Sequence, residues 1–262
     1  NVDAHDVICK IGECVVAGGV RRTAMISLSD LDDTEIRDAK KGQFYLTDPH
    51  RSVANKSAVY EQKPTSTELM DEWVALMKSG SGERGIFNRG SLRATMPARR
   101  IALLEKKYGK GNIGQMGTNP CGEIVLQSKQ FCNLSEVIAR AEDTEATLLR
   151  KARLATILGT YQSSLTNFRY ISKEWTDNCK AERLLGVSIT GQWDCPAVRD
   201  ARVMSKMRAV TLKINAQYAK RFGIPASASI TAVKPSGTVS QTFDCASGMH
   251  PRHSQYYIRR IR

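Results

Sequence analysis

The strongest constraint on the fold is the alternation of short strand-like runs with longer amphipathic helices. In the second half of the chain, apolar residues at helical spacing predict helices over residues 144–168 and 200–222. Short apolar runs bounded by glycine or proline predict strands over residues 185–190 and 229–233. Strands that are separated by helices pair in parallel through crossover connections. The sequence therefore predicts an α/β fold.

The first half follows the same pattern less regularly. Apolar residues from Val7 predict a helix that ends near Ala17, before a strand at residues 25–28. A capping box at residues 65–68 predicts the start of another helix, in which Trp73 is expected to be a core anchor.

Three further segments are weaker in pattern. Residues 85–88 predict a short buried strand, and the charged stretch 99–110 predicts a helix with a solvated face. The polar stretch 29–63 is expected to be a connecting region with a short helix. Because no linker or internal repeat separates these segments, we predict one α/β domain over residues 1–262. The chain starts at Asn1 rather than methionine and ends within a strand-like run, so we interpret it as a fragment.

The net charge of +13 favours anionic partners, which include nucleic acid, an acidic membrane surface and phosphorylated small molecules. The basic residues are dispersed and lack interleaved aromatic residues, which weakens the nucleic-acid interpretation. No apolar run is long enough to cross a bilayer, and no signal peptide is visible. We expect a cytoplasmic protein that binds neither membranes nor nucleic acid.

The seven cysteines are an odd number without a Cys-x-x-Cys pair, and only four histidines accompany them. This pattern predicts reduced thiols rather than a disulfide framework, and no metal site. Two of the cysteines, Cys121 and Cys132, stand apart from the rest. Cys121 lies in a Pro/Gly turn between Asn119 and Glu123, which places a thiol, a carboxylate and a carboxamide on one loop.

Four ordered motifs resemble those of ribonucleotide reductases. The first two are Gly-Gly-Val-Arg-Arg-Thr-Ala at residues 18–24 and Asn-Pro-Cys-Gly-Glu-Ile at residues 119–124, the latter followed by Cys-Asn-Leu at 132–134. The others are Lys-Pro-Ser-Gly-Thr at residues 234–238 and Tyr-Tyr-Ile-Arg-Arg-Ile-Arg at 256–262. The motif sequences are most similar to those of the adenosylcobalamin-dependent class, particularly its monomeric triphosphate-reducing branch.

The resemblance implies a ten-stranded α/β barrel with a central cysteine loop. It implies that Cys121 carries the thiyl radical, that Glu123 is the base at the 3′-hydroxyl and that Asn119 holds that hydroxyl. Cys132 matches one of two thiols that become a disulfide. The family's partner of Cys132 would lie upstream of this chain.

The loop Lys234-Pro235-Ser236-Gly237-Thr238 does not have the spacing of a Walker loop. Its backbone N–H groups and hydroxyls still suit an anion, and the resemblance assigns the substrate phosphates to it. By the same resemblance Arg21 is a substrate-side arginine on a mobile loop. We expect Arg21, the 234–238 loop, Cys121 and Cys132 to border one cavity.

The resemblance further implies adenosylcobalamin as cofactor, a ribonucleotide substrate, a dNTP effector and a thioredoxin-like reductant. Two alternatives stay open from sequence. One is the large subunit of a reductase started by a separate metal-radical subunit, and the other is a basic nucleic-acid-binding domain with incidental cysteines.

Overall fold

The computed structural model describes residues 1–17 and 23–258. In these residues the helices are α1 (Val2–Ala17), α2 (Thr34–Asp38), α3 (Phe44–Thr47), α4 (Ser66–Ser79), α5 (Leu92–Thr95), α6 (Ala98–Tyr108), α7 (Glu145–Gln162), α8 (Lys173–Glu182), α9 (Ala201–Arg221) and α10 (Val239–Thr242). The strands are β1 (Met25–Ser29), β2 (Ala54–Tyr60), β3 (Gly85–Asn88), β4 (Met116–Thr118), β5 (Val125–Gln127), β6 (Asn133–Ile138) and β7 (Leu185–Thr190). Short 3₁₀ helices lie at Pro49–Val53, Arg89–Ser91 and Ala197–Arg199.

The chain divides into two compact units. The first contains Asn1–Met96 and Ile113–Ser128, and the second contains Pro97–Asn112 and Lys129–Arg262. Each unit combines parallel strands with helices, so the predicted α/β class is confirmed. None of the helices within the described residues is long and apolar enough to span a bilayer.

A parallel three-stranded sheet in the order β1-β2-β3 forms the centre of the first unit. The register pairs Met25 with Ala54 and Ser57 with Gly85. The expectation that residues 29–63 are only a connecting region is therefore wrong, because β2 is the central strand. Its polar residues hid it: Lys56 is 2% exposed, and its ammonium donates to the carbonyls of Ile36 and Arg37, at the end of α2. Burial lowers the pKa of Lys56 to about 8.

The first unit also contains the antiparallel hairpin β4-β5, which pairs Thr118 with Val125. Since the six residues between these partners are Asn119 to Ile124, the predicted cysteine loop is the tip of this hairpin.

The second unit is built on the parallel pair β6-β7, in which Asn133 lies opposite Leu185 and Ile138 opposite Thr190. Residues 229–232 run along the other side of β7, with a parallel bridge between Val187 and Thr231. The helix α7 packs on β6 and β7, and α9 packs against α7. The core consists of Val137, Ala139, Leu148, Ala152, Ala155, Leu185, Val187, Ile189, Cys195, Val198, Val203, Met207 and Ile230.

The element boundaries follow the sequence closely where caps are explicit. β7 spans the predicted residues 185–190, α9 follows its N-cap Asp200, and α4 begins with the predicted capping box of Thr65 and Glu68. α7, by contrast, ends at Gln162 rather than at residue 168. At this end, the hydroxyls of Ser163 and Ser164 donate to the carbonyls of Thr160 and Tyr161 and so satisfy two acceptors of the last turn.

Three burial predictions are wrong. Trp73 is 50% exposed rather than a core anchor, and β3 is mostly exposed rather than buried. The α6 patch is not simply solvated, because Arg100 is 3% exposed and forms an ion pair of 2.6 Å with the buried Glu182. Helical spacing shows which residues share a face, but it does not show what covers that face.

Candidate active-site loops

The cysteine loop is a tight turn that closes on itself. The amide of Gly122 donates to the carbonyl of Asn119 over 2.9 Å, which places Pro120 and Cys121 at the two central positions of the turn. Proline suits the first of these positions because its φ is fixed near the required value. Gly122 follows with a φ of +80°, a conformation that glycine adopts without strain.

The side chain of Asn119 brackets the same loop. Its carboxamide oxygen accepts from the backbone amide of Ile124 over 2.9 Å, and the backbone amide of Asn119 donates to the carbonyl of Ile124 over 3.1 Å. Ile124 is buried and anchors the end of the loop. One further hydrogen bond comes from β2, where Asn55 donates to the carbonyl of Pro120 over 2.8 Å.

This turn presents its reactive groups in different ways. Cys121 is exposed at the tip, whereas Asn119 and Glu123 are half-buried at its sides. Cys9, Cys179, Cys195 and Cys245 are buried, and burial raises the pKa of the Cys9, Cys179 and Cys245 thiols. Cys14 is exposed as well but lies within the helix α1, so Cys121 is the exposed cysteine that stands at a loop tip.

Cys132 lies in the second unit, half-buried and directly before β6. The next residue, Asn133, is fixed by two bonds to the carbonyl of Leu184, from its amide over 2.9 Å and from its side chain over 3.0 Å. The position of the Cys132 backbone is therefore set by the start of the strand.

The 234–238 loop also belongs to the second unit and leaves the segment that runs beside β7. Lys234 is half-buried, and Pro235, Gly237 and Thr238 are exposed, whereas Ser236 is 4% exposed. Ser236 has a φ of +54°, an unusual conformation for a residue with a side chain. The helix α10 that follows is a single turn.

The hydroxyl of Ser236 points inward and donates to the carboxylate of Glu136 in β6. Sequence reasoning did not single out Glu136. The available signal was an acidic residue directly before the apolar pair Val137 and Ile138, in a segment that mixes polar and apolar residues. Ser247 supports the loop as well, since its hydroxyl donates to the carbonyl of Pro235 over 2.7 Å.

The structure therefore brings Asn119, Cys121 and Glu123 together on one hairpin loop. Cys132 and residues 234–238 are placed on separate elements of the second unit. Arg21 lies outside the described residues. The shared cavity expected for all these groups stays a prediction.

One group within residues 1–17 and 23–258 has side chains close enough to share a cation, namely Asp6, Asp48 and His50. Arg51 already supplies positive charge there. Its guanidinium binds both carboxylate oxygens of Asp6, over 2.7 and 2.6 Å, and lies 3.4 Å from Asp48. This ion pairing holds the pKa of Asp6 well below its usual range, and it accounts for the cluster without a metal.

An α/β fold with a cysteine and a glutamate on one hairpin loop agrees with the ribonucleotide reductase resemblance. The chain is similar, over its whole length, to proteins named adenosylcobalamin-dependent ribonucleoside-triphosphate reductase. Identity is 30% to the protein of Lacticaseibacillus paracasei and 28% to that of Lactobacillus leichmannii. The chain spans 37% and 38% of the length of these two relatives.

A solved structure has a similar fold. A crystal structure of a B12-dependent (class II) ribonucleotide reductase superposes with a TM-score of 0.69 at 24% identity, covering 95% of this chain and 36% of that one. No family model matches the chain. The resemblance to adenosylcobalamin-dependent ribonucleotide reductases, inferred from four motifs, is confirmed by these similarities.

Proposed function

We propose that this chain carries the catalytic loop of a radical ribonucleotide reductase that converts ribonucleoside triphosphates to 2′-deoxyribonucleotides. The observation that carries the proposal is the hairpin tip, which exposes Cys121 and holds Glu123 on the same turn. The names of the relatives support a ribonucleoside triphosphate as the substrate. They also support adenosylcobalamin, rather than a separate metal-radical subunit, as the source of the radical.

The chemistry assigned to the loop divides among three side chains. Cys121, as a thiyl radical, takes the 3′-hydrogen of the ribose, and it returns a hydrogen at the end of the cycle. Glu123 removes the proton of the 3′-hydroxyl, a step that requires hydrogen-bond reach to that oxygen. Asn119 orients the same hydroxyl. Because the Asn119 oxygen accepts from Ile124, its amide N–H groups are the ones directed to substrate in this proposal.

Loss of the 2′-hydroxyl as water requires two reducing equivalents. Cys132 and a second cysteine supply them as two thiols that become one disulfide, so that ribonucleotide plus two thiols gives deoxyribonucleotide, disulfide and water. A thioredoxin-like dithiol then restores the thiols by exchange. Cys132 suits this role because it is half-buried next to a fixed strand end.

The 234–238 loop is assigned to the substrate phosphates. Lys234 provides charge, and the exposed Gly237 and Thr238 provide backbone N–H groups and a hydroxyl. The hydroxyl of Ser236 is directed to Glu136 instead. Arg21 is assigned to the substrate side by resemblance.

Adenosylcobalamin, when bound, supplies the radical that activates the thiol. The exposed position of Cys121 at the loop tip fits a radical source outside the loop. By the same resemblance, residues 1–262 form one catalytic domain, which contributes to a ten-stranded α/β barrel. The enzyme responds to a dNTP effector, and it acts in the cytoplasm.

The test is deoxynucleotide formation by the intact protein with a dithiol reductant. We expect product from ribonucleoside triphosphates only when adenosylcobalamin is present. Equal activity on diphosphates would move the proposal to the diphosphate-reducing branch. Absence of any deoxynucleotide product, with the folded protein shown to bind nucleotide, would contradict the proposal.

A further inference from the structure

A polar cluster of one half-buried carboxylate and two buried hydroxyls lies beneath the 234–238 loop. Glu136 in β6 is registered opposite Ser188 in β7. One of its carboxylate oxygens, Oε1, accepts from the hydroxyl of Ser188 over 3.1 Å and also from the hydroxyl of Ser236. Ser188 and Ser236 are 3% and 4% exposed. Two strands and the loop therefore meet at a single oxygen atom.

The loop needs such a support because of its backbone. Ser236 has a positive φ of +54°, which residues with a side chain keep only where the surroundings hold them. The hydroxyl of Ser236 is held by Glu136, a residue 100 positions earlier in the chain. Gly237 and Thr238 come next and are exposed, so the direction of their N–H groups depends on how Ser236 is fixed.

The charges around Glu136 agree with a holding role. Burial raises the pKa of the Glu136 carboxyl, while the bond from Ser188 and the positive charge of Lys234 act in the opposite direction. The hydrogen bond from Ser188 and the charge of Lys234 thus offset part of the cost of burying this carboxyl beneath the loop. Lys234 and the two serine hydroxyls are the groups that act on it from the loop and from β7.

We propose that Glu136 is a positioning residue for the substrate phosphates, because it accepts from Ser236 and so sets the conformation of the 234–238 loop. The inference rests on the phosphate role given to that loop in the proposed function. Glu136 does not touch the phosphates itself. Its contribution is to substrate affinity and not to the chemical step at the ribose.

The experiment compares KM and kcat for a ribonucleoside triphosphate in the intact enzyme, with Glu136→Ala, Glu136→Gln and Ser236→Ala. We expect Glu136→Ala and Ser236→Ala to raise KM by about 3- to 13-fold, the upper part of the range for one lost hydrogen bond. The kcat value should stay within about 2-fold, because binding alone is affected. Glu136→Gln keeps an oxygen acceptor and should restore KM to within about 2-fold of the wild type.

The double variant Glu136→Ala/Ser236→Ala provides a test that a general loss of structure does not mimic. If both residues act through one bond, the double variant should resemble either single variant rather than multiply their effects. The control is Glu142→Gln, at an exposed glutamate of the same unit, which should leave both constants unchanged.

Two further variants separate this inference from the proposed function. Lys234→Met and Thr238→Val test whether the loop binds phosphates at all. Unchanged KM in both would overturn the phosphate role and this inference together. Raised KM in both, with unchanged KM in Glu136→Ala, would overturn only the role of Glu136. A Glu136→Gln enzyme as defective as Glu136→Ala would likewise contradict the acceptor role.

Discussion

The cysteine loop (residues 119–124) and the proposed phosphate loop (residues 234–238) obtain their shapes in different ways. The cysteine loop is closed mainly by its own residues, through the bonds between Asn119 and Ile124 and the turn that ends at Gly122. The phosphate loop depends on distant residues, since Ser236 is held by Glu136 and Pro235 by Ser247.

This difference has a functional consequence. A locally closed turn keeps its shape without support from distant residues, so it presents Cys121 to a reactant in a fixed position. A loop held from beneath by a strand keeps Gly237 and Thr238 exposed, where backbone N–H groups can meet an anion. Substitutions of residues outside the cysteine loop should therefore change kcat little. Substitutions of the distant residues that hold the phosphate loop should change substrate affinity more.

The largest expected effect is chemical and lies in the cysteine loop. Glu123→Gln keeps the shape of the side chain but removes the proton acceptor, so kcat should fall by about 10²–10⁴-fold. Nucleotide affinity should survive, because neither the turn nor the phosphate loop changes. The matched control is Glu35→Gln at an exposed glutamate of the same unit. Wild-type turnover by Glu123→Gln, measured in a single-turnover assay, would contradict its role as base.

Alanine substitutions at two glycines, one in the cysteine loop and one beside the phosphate loop, allow a direct comparison of the loops. An alanine at Gly122, at a φ of +80°, would meet nothing within 4 Å, so Gly122→Ala should cost only the strain of about 1–2 kcal/mol. An alanine at Gly248, at a φ of +56°, would place its Cβ 2.6 Å from the carbonyl oxygen of Lys234. That clash should add about 1–3 kcal/mol.

The measurements are urea unfolding and the KM for triphosphate. We expect Gly248→Ala to be the less stable variant and to raise KM, because it displaces the phosphate loop from ten positions away in the sequence. Gly122→Ala should lower kcat more than it raises KM. A larger rise in KM for Gly122→Ala than for Gly248→Ala, with the larger fall in kcat in Gly248→Ala, would contradict the difference proposed between the loops.

The smallest effect is expected at Asn55, which supports the cysteine loop from β2. Asn55→Ala removes the exposed bond to the carbonyl of Pro120, at a cost near the low end of about 0.5–1.5 kcal/mol. The kcat value should fall by less than about 3-fold, with exposed Asn167→Ala as the control. A loss as large as that of Glu123→Gln would show that the turn does not hold itself.

The sequence predicted what local rules determine. The Pro/Gly turn around Cys121, the capping box at Thr65 and the strand at residues 185–190 all follow from short-range patterns. Each of these features is determined by residues that are close together in the chain, so it can be recognised without knowing the tertiary contacts.

What the sequence did not predict depends on distant partners. β2 was missed because Lys56 looks like a surface residue until the carbonyls at the end of α2 are placed around it. Arg100 was assigned to solvent because its partner Glu182 lies 82 positions further along. Glu136 was overlooked for the same reason, since its partner Ser236 lies on another element.

The central claim is that Cys121 carries the radical chemistry, and Cys121→Ser in the intact enzyme tests it most directly. A serine hydroxyl holds its hydrogen far more strongly than a thiol does, while the exposed tip of the turn accommodates either side chain without a cavity. The measurement is single-turnover deoxynucleotide formation, with nucleotide binding determined separately on the same preparation. We expect normal binding and no product, and any deoxynucleotide formed by Cys121→Ser above the background of enzyme-free reactions would contradict the assignment.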